Sequence, residues 1–534
     1  MKISKYLLLA VLFSPLFTSC ADYNEQSVDA LETGTADFTK YVAVGNSLAA
    51  GFQSNALYPE GQAYSYPNFL AQTFRVSSFA QPAIGNGYGD RVDIADLSNP
   101  LAPVTTITSL SPGVLPTQPA GGYQNLGIPG AILDDYLGGV RSDAGGNTVD
   151  TYLQRLTGSN GPAYAYVLGT SGKTISAYLK EQNPTFVSFW LGNNDILGYV
   201  TSGGLRPFTS PTAFAASYAS SISDILSSNA NMKMAVANIP GVTSIPFATY
   251  VGPIAKQLLT ASLPASVTSI YASATFYNGV AQLGMAENKF PYAGIPLANL
   301  DKPDSAMVLI TGQAALGWIG ASSAVPGDAA KVTAITNYWK GFIVAATAGT
   351  ANAIPASVAG AMDNATLAAT MKQLITGLYM QTFLVDAPTA SAALTARGFD
   401  VNFAQPFGLH PHNPIPNQFI LDKNEISIAK TVTGLFNGAI SQVVAANTAK
   451  IAFVDMNSIF KDIVTAGSVT ANGVTLRPAL GSLFSFDGVH PSNRGHGILT
   501  NEIIKAINAK FNSNLPPLMI SRIPLGYTVN QNPS

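Results

Sequence analysis

"YVAVGNSLAAG", residues 41–51, runs four apolar residues into Gly45 and Asn46 and then sets Ser47 in front of Leu and two alanines. A short apolar run closed by Gly and Asn reads as a buried strand that ends in a turn. Such a turn serves one of two ends. It simply terminates the strand, or it presents Ser47 as a nucleophile at the carboxyl edge of a sheet. The eleven residues do not choose, so the rest of the chain must.

Three more runs have the same character: "FVSFWL" (186–191), "MKMAVANI" (232–239) and "KIAFVDM" (450–456). Nearly continuous apolar stretches are what parallel strands need when both of their faces are covered. Helical spacing lies between them. In 211–228 Phe214, Tyr218, Ile222 and Ile225 recur at threes and fours, and near the C-terminus Leu499, Ile503, Ile507 and Phe511 form one stripe. Strands alternating with helices predict an α/β domain with a parallel sheet. The stretch from about 250 to 400 breaks the rhythm. It is rich in Ala, Thr and Ser with helical-looking pieces, and reads as a mostly helical insertion between two strands of one sheet. Residues 98–124, with several prolines, read as an extended surface loop, and 513–534 as an extended tail.

Of the 534 residues 47% are hydrophobic, including 26 Phe and 22 Tyr, which marks a globular chain. Only 10% are charged and the formal net charge is -2, so there is no electrostatic footprint for nucleic acid. The opening "MKISKYLLLAVLFSPLFTSC" carries Lys2 and Lys5 ahead of an apolar stretch too short to span a bilayer, the layout of an export signal. It ends at Cys20, the chain's one cysteine, so no intramolecular disulfide can form. This resembles a bacterial lipoprotein signal, which implies cleavage after residue 19, acylation of Cys20 and attachment to a membrane, the outer membrane being the expected one, facing periplasm or exterior. Residues 21–37, acidic and polar, read as a flexible tether.

Three motifs are set aside. "LGTSGKT" (168–174) lacks the upstream glycine of a phosphate-binding loop, where Val167 stands. "GNGYGD" (85–90) has no third glycine at the required offset and reads as a loop. His410 and His412, one residue apart with no acidic or Cys cluster nearby, read as a surface loop and not as zinc ligands.

"FDGVHPSNRGHG", just before the last helix, places Asp487 three residues ahead of His490. A carboxylate there can hold the Nδ1 proton of His490 and leave Nε2 as a base. Serine needs such a base to become a nucleophile. Acyl transfer also needs donors for the oxyanion. "NLGIPGA" (125–131) offers the backbone N–H of Gly130 in a tight turn, and "FWLGNNDIL" (189–197) offers the side-chain amide of Asn194 just beyond a strand; Asp195 reads as structural.

These blocks, "GNSL" (45–48), "NLGIPG", "GNND" (192–195) and "DGVHPS" (487–492), resemble in order those of the SGNH hydrolase superfamily, the GDSL-type esterases and lipases. The resemblance covers roughly 38–245 and 405–512 and leaves the insertion aside. It implies a flavodoxin-like three-layer α/β/α fold over 38–512. It further implies a catalytic triad of Ser47, His490 and Asp487, and an oxyanion hole of the Ser47 and Gly130 amides with Asn194. No metal and no organic cofactor belong to that chemistry. One departure stands out: the family's first block usually reads Gly-Asp-Ser-Leu, and here Asn46 replaces the Asp, keeping hydrogen-bonding capacity while losing a charge. The expected activity is hydrolysis of carboxylic esters, lipid or acyl esters above all, because an apolar insertion could form a lid or acyl pocket. The alternatives are an acetyl esterase acting on carbohydrate, or a surface lipoprotein that binds a ligand or an outer-membrane protein partner without turnover.

Overall fold

The computed structural model describes residues 31–526 except 97–103, 112–117, 120, 160, 170–171, 274–291, 348–352, 384 and 397–400. The expected signal, the lipidation site Cys20, most of the tether and the last residues of the tail lie outside the described residues.

The central elements, in chain order, are β1 (Tyr41–Gly45), α1 (Tyr66–Thr73), β2 (Asn125–Gly127), β3 (Phe186–Trp190), α2 (Asn194–Thr201), α3 (Pro211–Ser227), β4 (Lys233–Ala237), α4 (Lys423–Ala446), β5 (Ile451–Val454), α5 (Met456–Ala466) and α6 (Asn493–Phe511). The five strands form one sheet in which every neighbouring pair is parallel. Their order is 2-1-3-4-5, that of a doubly wound sheet. The chain goes from β1 to β2 on one side and then crosses to β3 on the other. The strand order therefore reverses between β1 and β3, and a crevice opens there at the carboxyl ends of the strands.

Alternation along the strands builds two cores. Val42, Val44, Val187, Phe189, Met234 and Val236 face one way, onto α3 and α4. Tyr41, Ala43, Phe186, Trp190, Ala235 and Ala237 face the other, onto α1 and α6. Helices thus cover both faces of the sheet, and the period of two that puts successive side chains on opposite sides explains why the runs looked uniformly apolar. On the first face Phe214 of α3 stacks on Phe436 of α4 with ring centroids 3.9 Å apart. Helix α3 starts where Pro211 follows the capping hydroxyl of Ser210, and α4 where Asp422 and Glu425 form a reciprocal capping box.

The segment between β4 and β5 has a separate core. Ile335, Trp339 and Ile343 pack there with Leu367, Met371 and Leu394. This core runs on past 400, because Phe403, Phe407, Ile415 and Phe419 belong to it. It also contains two antiparallel ribbons, Ser269–Ser273 with Tyr292–Pro296 and Ala306–Val308 with Ile420–Asp422.

One expectation needs correction. Part of the stretch read as loops is a hairpin in which Tyr88–Asp96 pairs antiparallel with Val104–Leu110, Val92 lying opposite Ile107. Its β-branched residues carry the strand preference, and the neighbouring prolines hid it. Among the described residues no helix is long and apolar enough to cross a membrane.

Candidate active site

Ser47 stands just past the carboxyl end of β1, at the crevice. The Oδ1 of Asn46 accepts the N–H of Leu48 at 3.0 Å and so caps the short helix Ser47–Ala50. The side-chain carbonyl alone does this capping, so an uncharged Asn suffices at this position. Ser47 itself is 7% exposed.

The second half of the site comes from the far end of the chain. His490 lies in the turn before α6, its carbonyl accepting the N–H of Ser485 at 2.8 Å. Its Nε2 is 2.8 Å from Ser47 Oγ, and its Nδ1 is 2.9 Å from Asp487 Oδ2. The second oxygen of Asp487 accepts the N–H groups of Val489 and His490, at 2.8 and 2.9 Å, and Oδ2 also takes the N–H of Asn55 at 2.8 Å. Burial by itself would raise the pKa of Asp487, but His490 and these N–H groups outweigh it and hold it down at about 2. An ionised carboxylate only accepts, so Nδ1 carries the imidazole proton and Nε2 is left to accept from the serine hydroxyl.

Further bonds tie other segments to the loop around His490 and to the start of α6. Ser54 N–H donates to Ser485 Oγ at 2.9 Å, Gln53 Nε2 donates to Asn493 Oδ1 at 3.0 Å, and Phe247 N–H donates to the Gly488 carbonyl at 2.9 Å. The ring of Phe52 lies 4.9 Å from that of His490. The residues 52–55 that hold Asp487 and His490 were missed in the sequence. The available signal was weak: Ser54 and Asn55 take left-handed backbone, φ +49° and +62°, which marks a turn but no function. His496, fully buried in α6, is driven down to about 3, by burial first and by its nearness to His490 second, and so stays neutral.

Gly130 follows β2 with φ +83°, a backbone that favours glycine. Neither its N–H nor that of Ser47 has a protein acceptor among the described residues. Asn194 begins α2, just past β3, and donates one amide hydrogen to the Ala131 carbonyl at 2.8 Å, leaving its second hydrogen to point elsewhere. Its approach depends on Gly192, φ +109°, where a Cβ would come within 2.9 Å of the Phe214 ring. Asp195 is wholly buried and accepts from Leu133 N–H at 2.9 Å and from the Thr209 hydroxyl at 2.6 Å. It ties the turn after β2 to α2, and burial raises it to about 7.

A cavity opens beside these groups. Ser47, Asn194 and His490 line it, together with Asn193 and many apolar side chains. Gly130 does not line it; it lies in the turn that Asn194 holds through Ala131. Among known proteins, no family model, curated sequence or solved structure matches the chain. Its chemistry is therefore read from this geometry alone. Among the described residues no group of three or more His, Cys, Asp or Glu side chains could hold a metal ion. His410 Nδ1 accepts the N–H of His412 at 3.1 Å, which places the pair in a local turn.

Proposed function

We propose that the protein is a serine hydrolase of carboxylic esters, lipid or acyl esters in preference, built on the flavodoxin-like three-layer fold of the SGNH superfamily and carried to a membrane by an acylated Cys20. The observation that carries this reading is the unbroken relay Ser47–His490–Asp487, both of whose links are 2.9 Å or shorter. Strand order 2-1-3-4-5 supports the fold assignment.

In this reading Ser47 Oγ bonds to the ester carbonyl carbon while Nε2 of His490 takes the hydroxyl proton. The carbonyl electron pair moves to oxygen, which the N–H groups of Ser47 and Gly130 and the Asn194 amide stabilise. As the C–O bond to the alcohol breaks, His490 returns its proton to the leaving oxygen. Water then attacks the acyl-serine with His490 again as base, releasing the carboxylic acid and restoring the hydroxyl. Asp487 keeps the imidazole in the required tautomer throughout.

A fluorophosphonate should label the wild-type protein and not Ser47→Ala, and Ser47→Ala should lower p-nitrophenyl butyrate hydrolysis by roughly 10⁴ or more. A binding protein without turnover would take no label in either form. Equal turnover by the two proteins would end the proposal.

A further inference from the structure

Resting on that reading, we infer that the cavity beside Ser47 holds the acyl chain of the substrate, and that this chain is an unbranched, medium-length fatty acyl group. The polar side chains on its wall are Asn46, Ser47, Asn193, Asn194 and His490. Four of them belong to the loops at the carboxyl ends of β1 and β3, and the fifth is the base. The rest of the wall is apolar. Helix α5 contributes Met456, Ile459, Phe460 and Ile463, spaced as one stripe, and α6 contributes Ile498 and Leu499. Over the seven steps from Met456 to Ile463 that stripe runs about 10 Å at 1.5 Å per residue. An ester group at the reacting end and a hydrocarbon tail beyond it match this division.

The space is about 100 Å³. A water-sized group needs about 10–15 Å³ of such space, so there is room for roughly seven to ten, the size of a medium-length chain and far more than an acetyl group needs. No described residue of the insertion lines it. The acyl site therefore lies between α5, α6 and the loops after β3 and β4.

Asn193 is the second, independent observation. It is 6% exposed, it lines this cavity, and neither its Oδ1 nor its Nδ2 has a partner among the described residues. Burying an amide unpaired is unfavourable, and an oxygen of the entering ester would supply the missing partner.

The test is the rate on p-nitrophenyl esters from C2 to C12. The wild-type kcat/KM should peak near C8, at least tenfold above C2. Ile463→Phe and Leu499→Trp, the latter at a half-buried position, should move the peak to C4 or below, cutting the C8 rate at least tenfold more than the C2 rate. Asn193→Ala should lower kcat/KM several-fold at every chain length without moving the peak. A wild-type rate falling steadily from C2, as an acetyl esterase would give, overturns the inference. So does a peak that neither bulky variant moves. Calorimetry on Ser47→Ala separates this from failure of the hydrolase reading. That variant should still bind decanoate, and adding Leu499→Trp should abolish the binding; no binding by Ser47→Ala would also overturn the acyl site.

Discussion

At the scale of single residues, the triad is held by Asp487 more firmly than its three-residue spacing from His490 required. Its oxygens take four hydrogen bonds, from the His490 ring and from the backbone N–H groups of Asn55, Val489 and His490. Asp487→Asn keeps the shape but turns an acceptor into a donor beside Nδ1, which favours the wrong tautomer; we predict a loss of about 10⁴ in kcat on p-nitrophenyl butyrate. Stability carries a second signature. The carboxyl sits at about 2, below the ordinary 3.8 of an unfolded Asp. The folded state therefore gains from its ionisation at all pH values above 3.8, and loses that gain as pH falls from there through 2. Across that window the wild type should lose about 2 kcal/mol more than Asp487→Asn in urea titrations. Equal losses would show that the lowered pKa is not linked to folding. The serine, the histidine and the acid were legible because each sits in a short motif of recognisable chemistry. Asn55 was not, because it acts through its backbone N–H, which no side-chain pattern reveals.

At the scale of elements, the boundaries that matter are set by caps. The stripe at 499, 503, 507 and 511 revealed the last helix, but α6 begins at Asn493, immediately after the loop that carries His490. Ser492 fixes that start: its Oγ accepts the N–H of Gly495 at 3.1 Å and donates to the Ser482 carbonyl at 2.5 Å. Ser492→Ala should cost about 0.5–2 kcal/mol in chemical denaturation. Because His490 is only two residues away, kcat should fall several-fold with KM little changed. An unaltered kcat would mean that the loop is held by its other bonds alone. The hairpin 88–96/104–110 and the short β2 escaped the sequence reading for opposite reasons. Prolines masked the first, and β2 has only three residues, too few for any periodicity to register.

At the scale of the whole molecule, the site exists because the two ends of the chain are laced together, which no local pattern could reveal. Thr35 N–H donates to the Phe511 carbonyl, and Asn514 N–H to that of Glu32, both at 2.8 Å. Beyond α6 the tail does not trail away. Asn508 and Asn501 bind the backbone of Leu515 and Leu518, and Arg494 Nε donates to the Ile523 carbonyl at 2.8 Å. Ile520 and Ile523 then press on α6 at Gly497, where a Cβ would meet their Cδ1 atoms at 2.9 and 2.5 Å. The sequence reading expected an extended tail and did not contain this clamp, since Leu515, Ile520 and Ile523 show neither helical nor strand spacing. Ile520 is fully buried among Ile498, Leu483 and Phe484. Ile520→Ala should therefore cost about 2–5 kcal/mol in denaturant unfolding. Loosening α6 at that point should also raise amide hydrogen exchange across 485–495, the loop that carries His490. A variant destabilised to that extent with exchange unchanged there would show that the tail supports the fold without bracing the loop around His490.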